Sequence, residues 1–200
     1  MTASAEIARN FKVEFDERRI LRLIGYNKKH EMIKEPIHKL IIEEKRKLVN
    51  LLQPAAIYAI IDYSQTNKHP IFDHAEKVAL CICIIGQKLE KEVQNLTQKN
   101  ELLRALILDA LGSEAVEEVA IQADRMLAEK ASEMNLWPSK RFSPGYGKWD
   151  ITQQRFIFNI LPGQDIGVSL RESCMMVPQK SISFRINFYK EKKFSTRSQR

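Results

Sequence analysis

Apolar residues in this chain keep three different rhythms, and each marks a different kind of element. Near the N-terminus the rhythm is helical. Asp16 is placed to cap a short helix through Arg18 to Leu23, which Gly25 ends. Pro36 suits the first turn of a second helix whose stripe is Ile37, Leu40, Ile41, Leu48 and Leu51, and Pro54 stops it. The rhythm then becomes continuous. Ala55 to Tyr63 reads as a strand, and after a loop holding Asn67 and Pro70, Val78 to Ile85 reads as another. Both faces of that second run are apolar, Val78/Leu80/Ile82/Ile84 on one side and Ala79/Cys81/Cys83/Ile85 on the other. Such a strand is expected in the middle of a sheet, covered on both sides.

From Gln87 the helical period returns. Between about Glu101 and Met134 it carries a long stripe of Leu103, Leu106, Ala110, Val116, Val119, Ala120, Ala123, Met126, Leu127 and Met134, with Gly112-Ser113 as the expected kink. Trp137 to Trp149 has a different texture, holding two prolines, two glycines, two tryptophans and a tyrosine. Thr152 is read as the cap of a helix from Gln153 to Leu161, stopped by Pro162-Gly163. Three short strands follow, and in the last Ile182, Phe184, Ile186 and Phe188 alternate with Ser183, Arg185, Asn187 and Tyr189. Helices grouped before and between strands predict an α+β fold. No repeat or linker divides the chain. Residues 1–53 are expected as a helical segment packed on the same domain, 54–189 as the core and 190–200 as a flexible basic tail.

Composition narrows the classes without choosing among them. Of 200 residues, 44% are hydrophobic and 28% charged, the profile of an ordinary soluble globular protein. Met1 to Asn10 lacks a signal-peptide pattern, and Val78 to Ile85 is too short to span a bilayer, so no membrane partner is expected. Three cysteines without framework spacing fit a reducing, cytoplasmic setting. The formal charge of +7 raises nucleic acid as a partner. However, much of it sits in the tail at Lys190, Lys192, Lys193, Arg197 and Arg200. Elsewhere Lys and Glu alternate as on a solvated helix face, so no nucleic acid is expected.

Several chemistries have no motif here. There is no glycine-rich phosphate loop, no dinucleotide fingerprint and no zinc-spaced histidine pair among His30, His38, His69 and His74, so no metal site is expected. An Asp-x-His-x-x-Gly cobalamin ligand motif is also absent. Cys81-x-Cys83 reads as two small core residues. Asp73-His74 is either an acid/base pair or a polar loop, and Met175-Met176 either lines a pocket or packs in the core.

The informative stretch is Arg141-Phe142-Ser143-Pro144-Gly145-Tyr146-Gly147. Pro-Gly makes a tight turn with few side chains in the way. An arginine before it can pair bidentately with a carboxylate, and a tyrosine after it offers a flat face with one polar tip. On spacing alone, an ordinary turn with a surface arginine is the competing description. Arg-x-x-Pro-Gly-Tyr resembles the S-adenosylmethionine-binding signature of the activation domain of cobalamin-dependent methionine synthase. The downstream run Leu170-Arg171-Glu172-Ser173, then Met175, Pro178 and Ser181-Ile182-Ser183, is similar to a second block of that family. The resemblance is carried by about Leu102 to Phe188 and fades before it. Free-standing activation-domain-like proteins share the Ser-Pro-Gly-Tyr-Gly and Pro-x-Lys-Ser pieces.

That resemblance implies a mainly antiparallel twisted sheet with long helices, and a site. Arg141 would hold the donor's carboxylate, Pro144 and Gly145 would supply the turn, and Tyr146 would lie near the cobalamin. Glu117 would sit close to the bound donor, and Ser181 completes the implied contact set. In that family a cob(II)alamin formed by oxidation is restored by a methyl from S-adenosylmethionine and an electron from flavodoxin or a similar donor. This chain would then be an accessory component, acting in trans on a cobalamin-binding methionine synthase subunit. The family's Tyr-Phe pair beside the adenosine corresponds here to Ile186-Asn187. A second reading follows from that departure: a non-catalytic docking or assembly factor for a corrinoid protein, without ligand binding. The third reading, a basic nucleic-acid binder, rests on charge alone.

Overall fold

The computed structural model describes residues 4–25, 35–66, 68–72 and 74–192. Two strands long enough to be central appear where the apolar runs predict them. They are β2 (Ala55–Asp62) and, after β1 (Glu6–Ala8), α1 (Glu17–Leu23), α2 (Glu35–Leu51) and β2 in the chain, β3 (Lys77–Ile84). Next come α3 (Lys88–Gln98), α4 (Leu102–Glu133), β4 (Trp137–Pro138), α5 (Gln154–Ile160), β5 (Ser169–Leu170), β6 (Met176–Val177) and β7 (Ser181–Tyr189). The main sheet has the order β1-β2-β3-β7-β4 with every pairing antiparallel, and β5 and β6 form a separate two-stranded ribbon. The α+β expectation holds.

The two faces of β3 explain the layering. Ala79, Cys81, Cys83 and Ile85 face a helical layer, and Val78, Leu80, Ile82 and Ile84 face a layer made of the chain from Phe142 to Val168 together with Phe72. β3 is thus covered on both sides, as its double apolar pattern requires. Ile20, Ile41 and Leu48 bring α1 and α2 into the helical layer. Asp16 caps α1 by accepting from the Arg18 amide at 2.9 Å. β1 was not foreseen. Three residues at the edge of the sheet carry too little pattern to be read.

Two expectations are corrected, in the α4 stripe and at the cap before α5. α4 passes through Gly112 and Ser113 as one 32-residue helix, about 48 Å long at 1.5 Å per residue. Gly112 serves packing, since a Cβ there would lie 2.8 Å from both Leu89 methyls on α3. Leu103, Leu106 and Met134 are exposed, and Ala105, Ile107, Leu108 and Leu111 take their place in the core. Asp150, not Thr152, caps the segment before α5, accepting from the Thr152 amide at 2.8 Å and its hydroxyl at 2.6 Å. The alternating polar positions of β7 are covered: Ser183, Arg185 and Asn187 are all buried by the second layer. Asp73, Asn67 and the tail from Lys193 lie outside the described residues. No described helix is long and apolar enough to cross a membrane.

Candidate functional site

After β4, the chain continues beside β7 for only a few residues. The Ser139 amide donates to the Asn187 carbonyl at 2.8 Å, and Phe142 and Arg185 exchange both backbone bonds at 3.0 and 2.9 Å. Then the Ser143–Tyr146 turn leads away. Its Tyr146 amide donates to the Ser143 carbonyl at 3.3 Å, and the Gly145 amide to the Trp149 carbonyl at 2.7 Å. Gly145 sits at φ +89°, where a side chain would be strained and its Cβ would meet Ile151 at 3.2 Å. Trp149, fully buried between Phe72 and Phe142, anchors the far end. The first half of β7 is left without an outer neighbour, and a cavity of about 440 Å³ opens there. That volume is within the range of small-molecule sites.

Three elements supply its walls. α4 contributes Glu117. The turn contributes Arg141, Phe142, Ser143, Pro144 and Tyr146. β7 and its neighbours contribute Ser181, Ile182, Ser183, Gln154 and Met176. One end is ionic: the Arg141 guanidinium donates to Glu117 Oε1 and lies 5.8 Å from the centre of the Phe184 ring. Two turns further along α4, burial pushes the Asp124 carboxyl up, while the charge of Arg141 pulls it back. Burial likewise pushes the Cys81 thiol well up. Cys81 and Cys83, their sulfurs 3.7 Å apart, are both fully buried core residues. The other end is neutral: the Ser183 hydroxyl donates to Gln154 Oε1 at 2.6 Å, and the Ser181 hydroxyl to the Pro178 carbonyl at 2.8 Å. Lys180 ties this end to the helices. Its ammonium reaches Asp109 at 2.8 Å and Ser113 at 2.9 Å, and its amide donates to Glu90 at 2.9 Å.

Such a cavity can hold a ligand by shape and charge. A cation and an anion side by side suit a zwitterionic head group, and Phe142, Pro144, Met176 and Ile182 suit an apolar or flat body. Tyr146, one of the lining residues, also exposes much of its ring to solvent.

Of the residues the sequence singled out, Arg141, Pro144, Tyr146, Glu117 and Ser181 line this one cavity. Gly145 stands behind it, shaping the turn. Met176 lines it too, while Met175 points outward. Ile186 is buried against the helices, and Asn187 donates to the Ile71 carbonyl at 3.0 Å, so neither reaches the cavity. Sequence reasoning missed Phe142, Gln154 and Ser183 as wall residues. The one available signal was a glutamine and serines placed among apolar positions of elements that the pattern made amphipathic.

Comparison with known proteins bears on the family and the fold. The family model described as vitamin B12 dependent methionine synthase, activation domain, matches residues 23–195. Among solved structures, thirteen chains match. One, the MetH reactivation domain bound to AdoHcy, superposes with a TM-score of 0.67 at 13% identity, covering 96% of this chain and 80% of its own. At that identity the likeness concerns the fold. Among curated proteins nothing matches.

Proposed function

The chain belongs to the vitamin B12 dependent methionine synthase activation domain family, and on that premise we propose that its cavity binds S-adenosylmethionine. In this reading the bound donor serves the reductive methylation of cob(II)alamin on a separate methionine synthase subunit. The observation that carries the proposal is the convergence of Arg141, Glu117, Pro144, Tyr146 and Ser181 on one cavity of ligand size.

The residues fit the donor. Arg141 would hold the ligand's carboxylate with guanidinium donors that its single bond to Glu117 leaves over. Glu117 would face the ammonium or sulfonium charge. The walls around Phe142 and Met176 would exclude water and fix orientation, which is the contribution a protein makes when the reactive atoms belong to cofactors. The exposed ring of Tyr146 at the cavity suits the flat face of a corrin supplied by the partner. There the donor supplies the methyl group, and an electron comes from flavodoxin or a similar donor. We take residues 54–189 as the ligand-binding core and 1–53 as part of the same domain, because Ile20, Ile41 and Leu48 join the core of α4. Tail residues 190–200 are proposed as a basic appendage, and the setting as cytoplasmic.

A second reading, a docking factor without ligand binding, is favoured by one observation: Ile186 and Asn187 stand clear of the cavity. Calorimetric titration of S-adenosylmethionine separates the two, with Arg141→Ala beside the parent chain and with or without a cobalamin-loaded synthase fragment. Binding that Arg141→Ala weakens at least about 10-fold supports the proposal. Binding seen with the fragment alone makes the site composite. No heat in either setting leaves the docking factor as the better account.

A further inference from the structure

The cavity lies between walls that distant parts of the chain build. Glu117 of α4 stands on one side. Met176, Ser181 and Ile182 stand on another, where the chain crosses from β6 into β7. Residues 178–180 of that crossing belong to no strand, and β7 takes up its pairing with β3 only at Ser181. Within the crossing the Ser181 hydroxyl donates to the Pro178 carbonyl at 2.8 Å. Among the described residues, the hydrogen bonds that tie the crossing to the helices all run through Lys180.

Its grip on α4 is specific. Asp109 and Ser113 stand one turn apart on one face of the helix, and Glu117 follows one turn later. The Lys180 ammonium reaches Asp109 Oδ1 at 2.8 Å and donates to the Ser113 hydroxyl at 2.9 Å. That hydroxyl gives its own hydrogen to the Asp109 carbonyl at 3.1 Å, which leaves its lone pairs for the ammonium. The Lys180 amide donates to Glu90 at 2.9 Å and so reaches α3 as well. The side chain of Lys180 is 14% exposed and that of Asp109 48% exposed. A pair so open to solvent adds little to the stability of a fold. What it fixes is distance, because it joins the crossing to α4 two turns before Glu117. At the ionic end the corresponding tie is Arg141 to Glu117, and a ligand carboxylate draws on that arginine. Lys180 does not line the cavity, so its tie persists when the ligand is bound.

We propose that Lys180 is a positioning residue: anchored on Asp109 and Ser113, it holds the wall of Met176, Ser181 and Ile182 at the distance from Glu117 that the ligand requires. The proposal rests on the S-adenosylmethionine reading and adds the tie that sets the width of that site from outside it. A loose wall has to be ordered at each binding event, which weakens affinity without removing a ligand contact.

Titrating S-adenosylhomocysteine into the full chain and its variants tests it, in whichever setting the parent binds, with urea midpoints measured beside each titration. Lys180→Leu, which keeps the stem and removes the charge, is expected to weaken binding at least about 10-fold while the urea midpoint stays close to the parent's. Lys180→Arg, which keeps the charge, should bind within about 3-fold of the parent. Asp109→Asn should weaken binding by about 3-fold, and adding it to Lys180→Leu should weaken binding no further, because both act through one tie. Parent-like binding by Lys180→Leu, an additive double variant, or an arginine variant as weak as Lys180→Leu overturns the positioning role and leaves the ligand site standing. Should Lys180→Leu fail to fold, Asp109→Asn decides: weaker binding at an unchanged midpoint supports the role, and unchanged binding overturns it. A parent chain that binds in neither setting overturns the ligand reading and the positioning role together.

Discussion

Between the sheet and its helices nearly every buried side chain is aliphatic. Leu108, Leu111, Val119 and Leu127 of α4 pack on Ala56, Ala79, Cys81 and Cys83, small residues that let a long helix approach the sheet closely. The opposite layer is made otherwise. Trp149, Phe72 and Phe156 meet edge-on or tilted there, and Ser183, Arg185 and Asn187 are buried among them. Among the described residues, four buried side-chain polar atoms lack a partner, and three of them, on Trp149, Arg185 and Asn187, belong to this layer. A long helix satisfies its own backbone and closes its face with aliphatic side chains. A mostly irregular segment, with α5 as its one short helix, closes the other face with large rings beside Ile157 and Leu161, and its bends leave half of β7 open. The cavity sits where these two solutions meet.

The comparison breaks first on Trp149. If the irregular layer is a true second core, Trp149→Ala should cost about 3–5 kcal/mol in urea denaturation, because it removes a fully buried ring from between Phe72 and Phe142. Leu127→Ala on the helical side should cost somewhat less, about 3 kcal/mol. A loss under about 1 kcal/mol at Trp149 would mean that the segment is merely draped on the sheet. The helical face would then carry the fold alone.

The same difference governs what was legible in the sequence. α2, β2, β3, α3 and α4 follow from periods of 3.6 and 2 because each regular element repeats its burial pattern. In the second layer the helix expected from Gln153 to Leu161 is present as α5, but the rest has no period, so its contacts could be read neither in place nor in partner. Alternation in β7 correctly marked a strand, but it carries no sign that the polar side, with Arg185 and Asn187, is covered by the chain around Trp149. At the site, Arg141, Pro144 and Tyr146 were visible as a compact motif. Ser183 and Gln154 were not, because their role depends on a missing neighbour strand, which leaves no mark in local sequence.

Two arginines sharpen the contrast at intermediate size. Arg141 lies over Phe184 and is paired with Glu117; Arg185 lies 5.3 Å from the centre of Phe142 with the Ser139 hydroxyl at 3.4 Å. Burial pushes the pKa of Arg185 down. An uncompensated buried cation costs the folded state, while its contact with the ring returns part of that cost. Arg185→Met should therefore change stability little, from neutral to about 1 kcal/mol stabilising in thermal or urea unfolding. Arg141→Met should also leave stability within about 1 kcal/mol, its ion pair being half-exposed, but should weaken ligand binding. A loss above about 2 kcal/mol for Arg185→Met would show that the cation is compensated, and that the second layer is better satisfied than its geometry suggests.

The smallest effect is a slope with pH. Burial raises the pKa of Asp124 and Glu114, both on α4. A carboxyl whose folded pKa lies above its unfolded one binds its proton more readily in the folded state. Its ionisation therefore costs stability once the pH exceeds the raised value, and the cost fades as the pH falls through that value toward the ordinary carboxylate range. Asp124→Asn should be slightly more stable than the parent near neutrality and should lose that advantage on acidification, as read from urea midpoints across the acid range. Arg141 partly offsets the rise at Asp124. In an Arg141→Met background the advantage of Asp124→Asn should grow, because the buried carboxylate has lost its neighbouring cation. An unchanged advantage would mean that the two charges are screened from each other. The ionic end of the cavity would then be wetter than the aliphatic face it borders.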